Sequence, residues 1–324
     1  MMSLLKRQPF WVFYFWCYLI PSVIVASMLY FPAPFYWVHG GPFDFTALMQ
    51  TTVAKSGIHL RGGALIPMLR AYWSEPVLVF LVSCSAIPAV VALVLAPLTF
   101  GKQGLMTLLS RFRPWSKGVG ASEGLKVWGL AVAALIGTNL LSFLLRYPIS
   151  PKAHQAITWN HKLFSLAAVW LVLEAMFTNQ GGLLEELGWR GYSLPLLLER
   201  MNPLRATLLL GFCWALWHLV RDVAFHFPSQ FGMNVYLFAY LPMFIAWCIG
   251  GSILMTYFFN RTGGSALIAI AIHGLLNDSA GIGGRLIGGD IIHTMLPRTL
   301  GVVAAGVITV LLAGSKLGLR TDQQ

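Results

Sequence analysis

Charge is what this sequence has least of. Only 10% of its 324 residues are Asp, Glu, Lys or Arg, where a soluble domain carries about 25%. With 11 acidic residues in all, a solvated surface cannot be covered, and a water-soluble globule is excluded. Cysteine is scarce as well. Cys17, Cys84, Cys213 and Cys248 fall inside apolar runs with neither metal-site nor disulfide-framework spacing, and they read as small buried hydrophobes. No H-E-x-x-H occurs, so ordinary zincin chemistry has no support. The glycine-rich stretch GIGGRLIGG at 281–289 lacks the lysine and spacing of a phosphate-binding loop, and no nucleotide is assigned to it. There is no internal repeat.

What fills the chain instead is apolar: 57% of residues are hydrophobic and the mean hydropathy is +0.71. A spanning helix needs about 20 mostly apolar residues. Candidate spans fall at 10–31, 76–99, 124–145, 161–179, 203–221, 235–259, 264–283 and 296–314. The expected fold is therefore all-α: one polytopic membrane helix bundle over residues 1–324, with about eight transmembrane helices. The first span is long and lacks a small-residue cleavage signal, so it is expected to be retained as a membrane helix.

The net charge of +11 could suggest nucleic acid, but the basic residues lie between apolar runs. They fit anchors beside anionic lipid, and the lipid bilayer rather than nucleic acid is the expected partner. Their bias, densest in RFRPWSK at 111–117, places both termini in the cytoplasm. The connection at 32–75 then lies outside. It opens on the aromatic, turn-rich FPAPFYWVHGGPF, and its remainder suits an interfacial or re-entrant helix.

Three polar groupings interrupt the apolar runs, all in the second half of the chain. The first is LLEELGWRGYSLP at 183–195. On a helix Glu186 and Arg190 stand four apart and pair on one face, while Glu185 points about 100° away. A salt-bridged interfacial helix would explain it alone. The second is WALWH, with Trp214 four residues before His218; a packing histidine would suffice. The third is HGLLN, where His273 and Asn277 share a helical face; an interhelical polar pair would suffice. Together they weigh more. Ionisable residues at membrane depth indicate function by default, and a hydrolytic site needs a base for water and polar groups for an oxyanion.

These three motifs, in this order, resemble the E-E-x-x-x-R, aromatic-x-x-x-H and H-x-x-x-N motifs of the CAAX protease and bacteriocin-processing family of intramembrane proteases, also called the Abi family. The resemblance covers about 160–280, which it marks as the protease core. It implies an intramembrane endopeptidase of a bacterial cell membrane, acting on a membrane-associated protein or peptide, prenylated in the eukaryotic precedent. It implies Glu185 as the base that activates water, Glu186 held by Arg190, His218 polarising the water, and His273 with Asn277 stabilising the oxyanion. The family is often labelled metalloprotease, in which case Glu185, His218 and His273 would hold a divalent metal such as Zn; a metal-free mechanism is the other option, with no cofactor. This chain departs from the pattern after His218, where relatives often carry a proline and it reads HLVRDVAFHF. Arg221 and Asp222 there are expected to form a rim pair. The motif Glu185–Arg190 falls at the cytoplasmic end of the fourth span, so a site opening on the N-terminal side is expected. Two other classes remain: a non-catalytic scaffold of the same fold, and a proton or cation transporter, for which no inverted repeat is visible.

Overall fold

The protein is described from a computed structural model, which covers residues 2–30, 45–58, 60, 63–149, 166–282 and 291–319. Among them every regular element is helical, apart from one isolated antiparallel bridge between Ala64 and Asn179. In chain order the helices are α1 (Met2–Arg7), α2 (Pro9–Tyr30), α3 (Phe45–Ser56), α4 (Leu65–Tyr72), α5 (Pro76–Ser83), α6 (Ile87–Ser110), α7 (Ala121–Ile149), α8 (Leu166–Thr178), α9 (Gln180–Glu186), α10 (Leu194–Leu198), α11 (Pro203–Trp217), α12 (Leu219–Ala224), α13 (Phe227–Phe231), α14 (Leu241–Arg261), α15 (Ala266–Ile282) and α16 (Ile291–Ala313).

Local chemistry sets several of these starts. Prolines open α5, α10 and α11 in the first turn, where no backbone donor is lost. Asn202 caps α11 by accepting from the Arg205 amide at 2.9 Å. Six stretches are long and apolar enough to cross a membrane: Pro9–Leu29, Pro76–Ser110, Ala121–Ile149, Pro203–Ala224, Met233–Arg261 and Ile292–Lys316. Two shorter apolar helices, Val169–Thr178 and Ala266–Asp278, stand at the fourth and seventh expected positions. The protein is a multi-pass integral membrane protein built as an all-α bundle. Exposed Leu, Val, Ile, Phe and Trp side chains cover the outside, Leu311, Leu312 and Phe238 among them, as a lipid-facing surface requires. At the centre lies α14, which packs on α11, α15 and α16.

The fourth apolar run ends differently from the expectation. Residues 161–165 of it lie outside the described residues, as does most of the glycine-rich stretch at 281–289. The helix does not run into the Glu185–Arg190 motif. It stops at Asn179, whose extended backbone (φ −63°, ψ 131°) breaks the ladder. The Asn179 side chain then accepts from the Gly182 amide at 3.1 Å and starts a new helix. The motif becomes its own path through the bundle: α9, then a π-helical segment at Leu187–Ser193, then α10. π-Helical turns widen the spacing of side chains and recur at functional sites.

That path runs from one end of the bundle to the other. At its start the Gln180 amide donates to the Gly63 carbonyl at 2.7 Å, within the 45–72 connection. Just past its far end Arg200 donates to the Gln8 side chain at 2.9 Å and the Arg7 carbonyl at 2.6 Å. The start of the motif therefore sits opposite the N-terminus, not beside it as expected. The reason is the break at Asn179, after which the chain continues through the bundle along the motif itself.

Candidate active site

Helix α9 is held against α15 by missing side chains. A Cβ on Gly182 would lie 2.6 Å from the Ile270 carbonyl oxygen, and one on Gly274 would lie 2.0 Å from the Ala175 carbonyl oxygen. Only glycine permits this approach, and it brings the first and third motifs within hydrogen-bond reach. Nδ1 of His273 stands 2.7 Å from Oε1 of Glu186, and that same oxygen accepts from Nη1 of Arg190 at 2.8 Å. Arg190 also donates to the Ser252 hydroxyl at 2.7 Å and lies over the Trp214 ring. Glu186 and Arg190 are both fully buried.

Glu185 faces the other way. Its Oε2 accepts from the indole of Trp214 at 2.9 Å, and no other described side chain bonds its second oxygen. His218 donates from Nδ1 to the Trp214 carbonyl at 2.9 Å, with the rings of Trp214, Trp217 and Phe244 around it. Carboxylate and carbonyl oxygens only accept, so both imidazoles carry their proton on Nδ1 and keep Nε2 for the interior. A Cβ placed on Gly181 would lie 2.8 Å from Nε2 of His273 and 2.9 Å from Nδ2 of Asn277, so those two polar atoms converge on one patch of the α9 backbone.

Glu185, His218, His273 and Asn277 line a single cavity of about 640 Å³. Its other walls are mostly apolar and aromatic: Val25 and Met28 from α2, Met49 and Met68 from the 45–72 connection, and Phe225. Of the sequence-predicted residues, Glu186 and Arg190 are not among its lining residues; they lie behind it and hold His273.

The three proposed metal ligands do not form a donor set. Among the described residues no three His, Cys, Asp or Glu side chains are grouped so as to hold a metal ion. These residues as arranged do not fit a metal, and no step is derived through one.

Arg221 and Asp222 are more than a rim pair. Asp222 is fully buried and accepts from Arg221 at 2.7 Å and from the hydroxyls of Tyr236 and Tyr240 at 3.1 and 3.4 Å, while Arg221 lies on the cavity wall. Sequence reading also passed over Asn179 and Asp278. Nδ2 of Asn277 donates to Oδ1 of Asn179 at 3.1 Å, Nδ2 of Asn179 donates to Asp278 at 3.0 Å, and Asp278 accepts from the Gly63 amide at 2.6 Å. A signal was present for each. Asn179 precedes Gln-Gly-Gly as a helix cap does, and Asp278 is an acid directly after the HGLLN motif.

Residues 164–278 match the family model described as type II CAAX prenyl endopeptidase Rce1-like. The matched segment holds the three motifs and is similar to the CAAX protease and bacteriocin-processing family. It is similar to CAAX prenyl protease 2 of Methanococcus maripaludis, with 32% identity over 101 residues. That alignment covers 29% of this chain, and the chain spans about a third (34%) of the length of this curated relative. The segment shared with the family carries all three motifs and excludes α2, the 45–72 connection and α16, although these supply much of the cavity wall.

Proposed function

We propose that this protein is an intramembrane endopeptidase in which Glu185 activates water for attack on a peptide bond. One observation carries the reading: Glu185, His218, His273 and Asn277 line one apolar cavity, each buried or half-buried. In the reaction Glu185 takes a proton from water as its oxygen bonds the scissile carbonyl carbon. His218 Nε2 accepts the water's other hydrogen and fixes its direction. One N–H of the Asn277 amide is held by Asn179, which aims the second at the developing oxyanion. His273, tied to Glu186, carries a proton on Nε2 when cationic and then serves the same oxygen. The C–N bond breaks as the proton on Glu185 passes to the leaving amine, giving a carboxylic acid and an amine, which exchange a proton and leave as carboxylate and ammonium.

The substrate we propose is a membrane-associated protein or peptide, prenylated, with its lipid against the apolar wall of α2 and the 45–72 connection. The bundle end that carries Lys6, Arg7, Arg111, Arg113, Lys117, Lys126 and Arg200 faces the cytoplasm in this reading, and the cavity opens toward the opposite face.

The test is cleavage of a farnesylated, internally quenched peptide by the purified full chain in lipid nanodiscs. Glu185→Gln should lower kcat by about 10²–10⁴-fold, the range for loss of a positioned base, with unchanged thermal unfolding. Full cleavage by a folded Glu185→Gln protein would overturn the reading, and partner capture that survives this substitution without any cleavage by the wild type would favour a scaffold.

A further inference from the structure

The cavity holds a cation that the proposed chemistry does not use. Arg298, near the start of α16, lines the same space as Glu185 and Asn277. Its Nη2 donates to the backbone carbonyls of Leu276 at 2.8 Å and Asn277 at 3.3 Å, which pins the guanidinium beside Asn277. A second guanidinium lies behind it. Arg146, near the end of α7, is 6% exposed, its Nε has no hydrogen-bond partner, and its charge acts on Arg298. The two are brought together by a close helix contact. A Cβ on Gly301 would lie 2.1 Å from the Ser142 hydroxyl, and Arg298 and Arg146 stand about one turn from that point on the two helices.

Among the described residues neither arginine has a carboxylate at ion-pair distance. The ion pairs among the described residues are Arg190–Glu186, Arg221–Asp222, Arg261–Glu123 and His273–Glu186. The nearby acid, Asp278, is bonded to the Gly63 amide and the Asn179 side chain. Charges of one sign inside a membrane bundle are costly and are kept for a purpose. A guanidinium is suited to a carboxylate, which it grips through two parallel hydrogen bonds.

We infer that Arg298, reinforced by Arg146, is the anion-recognition residue of this cavity and takes a carboxylate of the bound peptide. This rests on the endopeptidase reading, because an anion held beside Asn277 belongs to whatever ligand reaches Glu185. A carboxylate in the cavity is repelled by Glu185 and drawn to Arg298, so the pair orients an otherwise apolar ligand. Both arginines lie outside 164–278, the segment that matches the family model. The carboxylate has two sources, the peptide's own C-terminus and an acidic side chain near it.

Three farnesylated, internally quenched peptides separate them: one ending in a carboxylate, one in a carboxamide, and one carboxamide with Glu as the last residue. Wild-type protein should cleave the first with kcat/KM about 10–100-fold above the second, as expected for one hydrogen-bonded charge. Arg298→Gln should erase that ratio through KM, Arg298→Lys should restore part of it, and Arg146→Gln should reduce it. Rescue of the carboxamide by Glu assigns the side chain as source, and no rescue assigns the C-terminus. Equal wild-type cleavage of all three peptides overturns the inference and leaves the endopeptidase standing. Binding of the same peptides to Glu185→Gln, followed by Trp fluorescence, separates the two failures. Preferential binding of carboxylates without cleavage by the wild type keeps the anion site and discards the protease; binding without preference discards the site.

Discussion

Oε1 of Glu186 lies 2.7 Å from Nδ1 of His273, and the carboxylate that makes this contact is fully buried. The same oxygen is paired with Arg190 at 2.8 Å. Two adjacent glutamates thus have separate tasks, one facing the cavity and one bracing its histidine from behind. Removing Glu186 should damage the protein in a way that removing Glu185 does not. Glu186→Ala leaves Arg190 charged and buried without its partner, which costs about 3–5 kcal/mol. The expected result is a marked fall in Tm in detergent together with lost activity. A Glu186→Ala protein as stable as wild type would show that the pair is not a structural brace.

Asn179 should act through Asn277. Its side chain caps α9 and also receives the Asn277 amide. Asn179→Ala removes a cap worth about 1 kcal/mol and frees Asn277 to rotate. The expected outcome is a modest loss of Tm with a disproportionate fall in kcat at nearly constant KM. Asn179→Ser, which keeps a cap acceptor without setting a second carboxylate against Asp278, should recover part of the Tm. A loss of kcat that merely follows the loss of folded protein would make the residue a cap and nothing more.

Cleavage should persist at full rate after dialysis against EDTA and in the presence of 1,10-phenanthroline. The ground is the donor spacing: among the described residues no three His, Cys, Asp or Glu side chains are grouped so as to hold a metal ion. Inhibition reversed by added Zn²⁺ would show that these side chains regroup around an ion.

Single cysteines report the sidedness of the cavity. In spheroplasts a membrane-impermeant maleimide should label Lys55→Cys, in the helix whose Met49 lines the cavity, and spare Lys117→Cys until the membrane is opened. The cysteine-free protein is the background for both. The reverse pattern would place the cavity opening on the cytoplasmic side.

Much of the site was legible before the fold was known, and for identifiable reasons. The four-residue spacing of Glu186 and Arg190, and the 100° turn to Glu185, are properties of any helix, and the two glutamates do face apart. His273 and Asn277 share a face for the same reason. The break at Asn179 was less visible, because an apolar run carries no mark of where its ladder stops unless the cap residue is recognised. Helical continuity past Asn179 would carry the motif to the N-terminal end of the bundle, whereas its start meets Gly63.

The sequence by itself determined that this is a helical membrane protein and which residue types meet in its interior. Hydropathy and helical periodicity are local and can be read along one chain. Only the tertiary structure decided that Glu186 faces His273 across 87 positions, that Asn179 joins Asn277 to Asp278 and Gly63, and that Arg298 lines the cavity with no ion pair among the described residues. Those pairings depend on how closely α9 packs on α15 and α7 on α16. The glycines that permit this approach have no side chain, and so leave no periodic pattern to read.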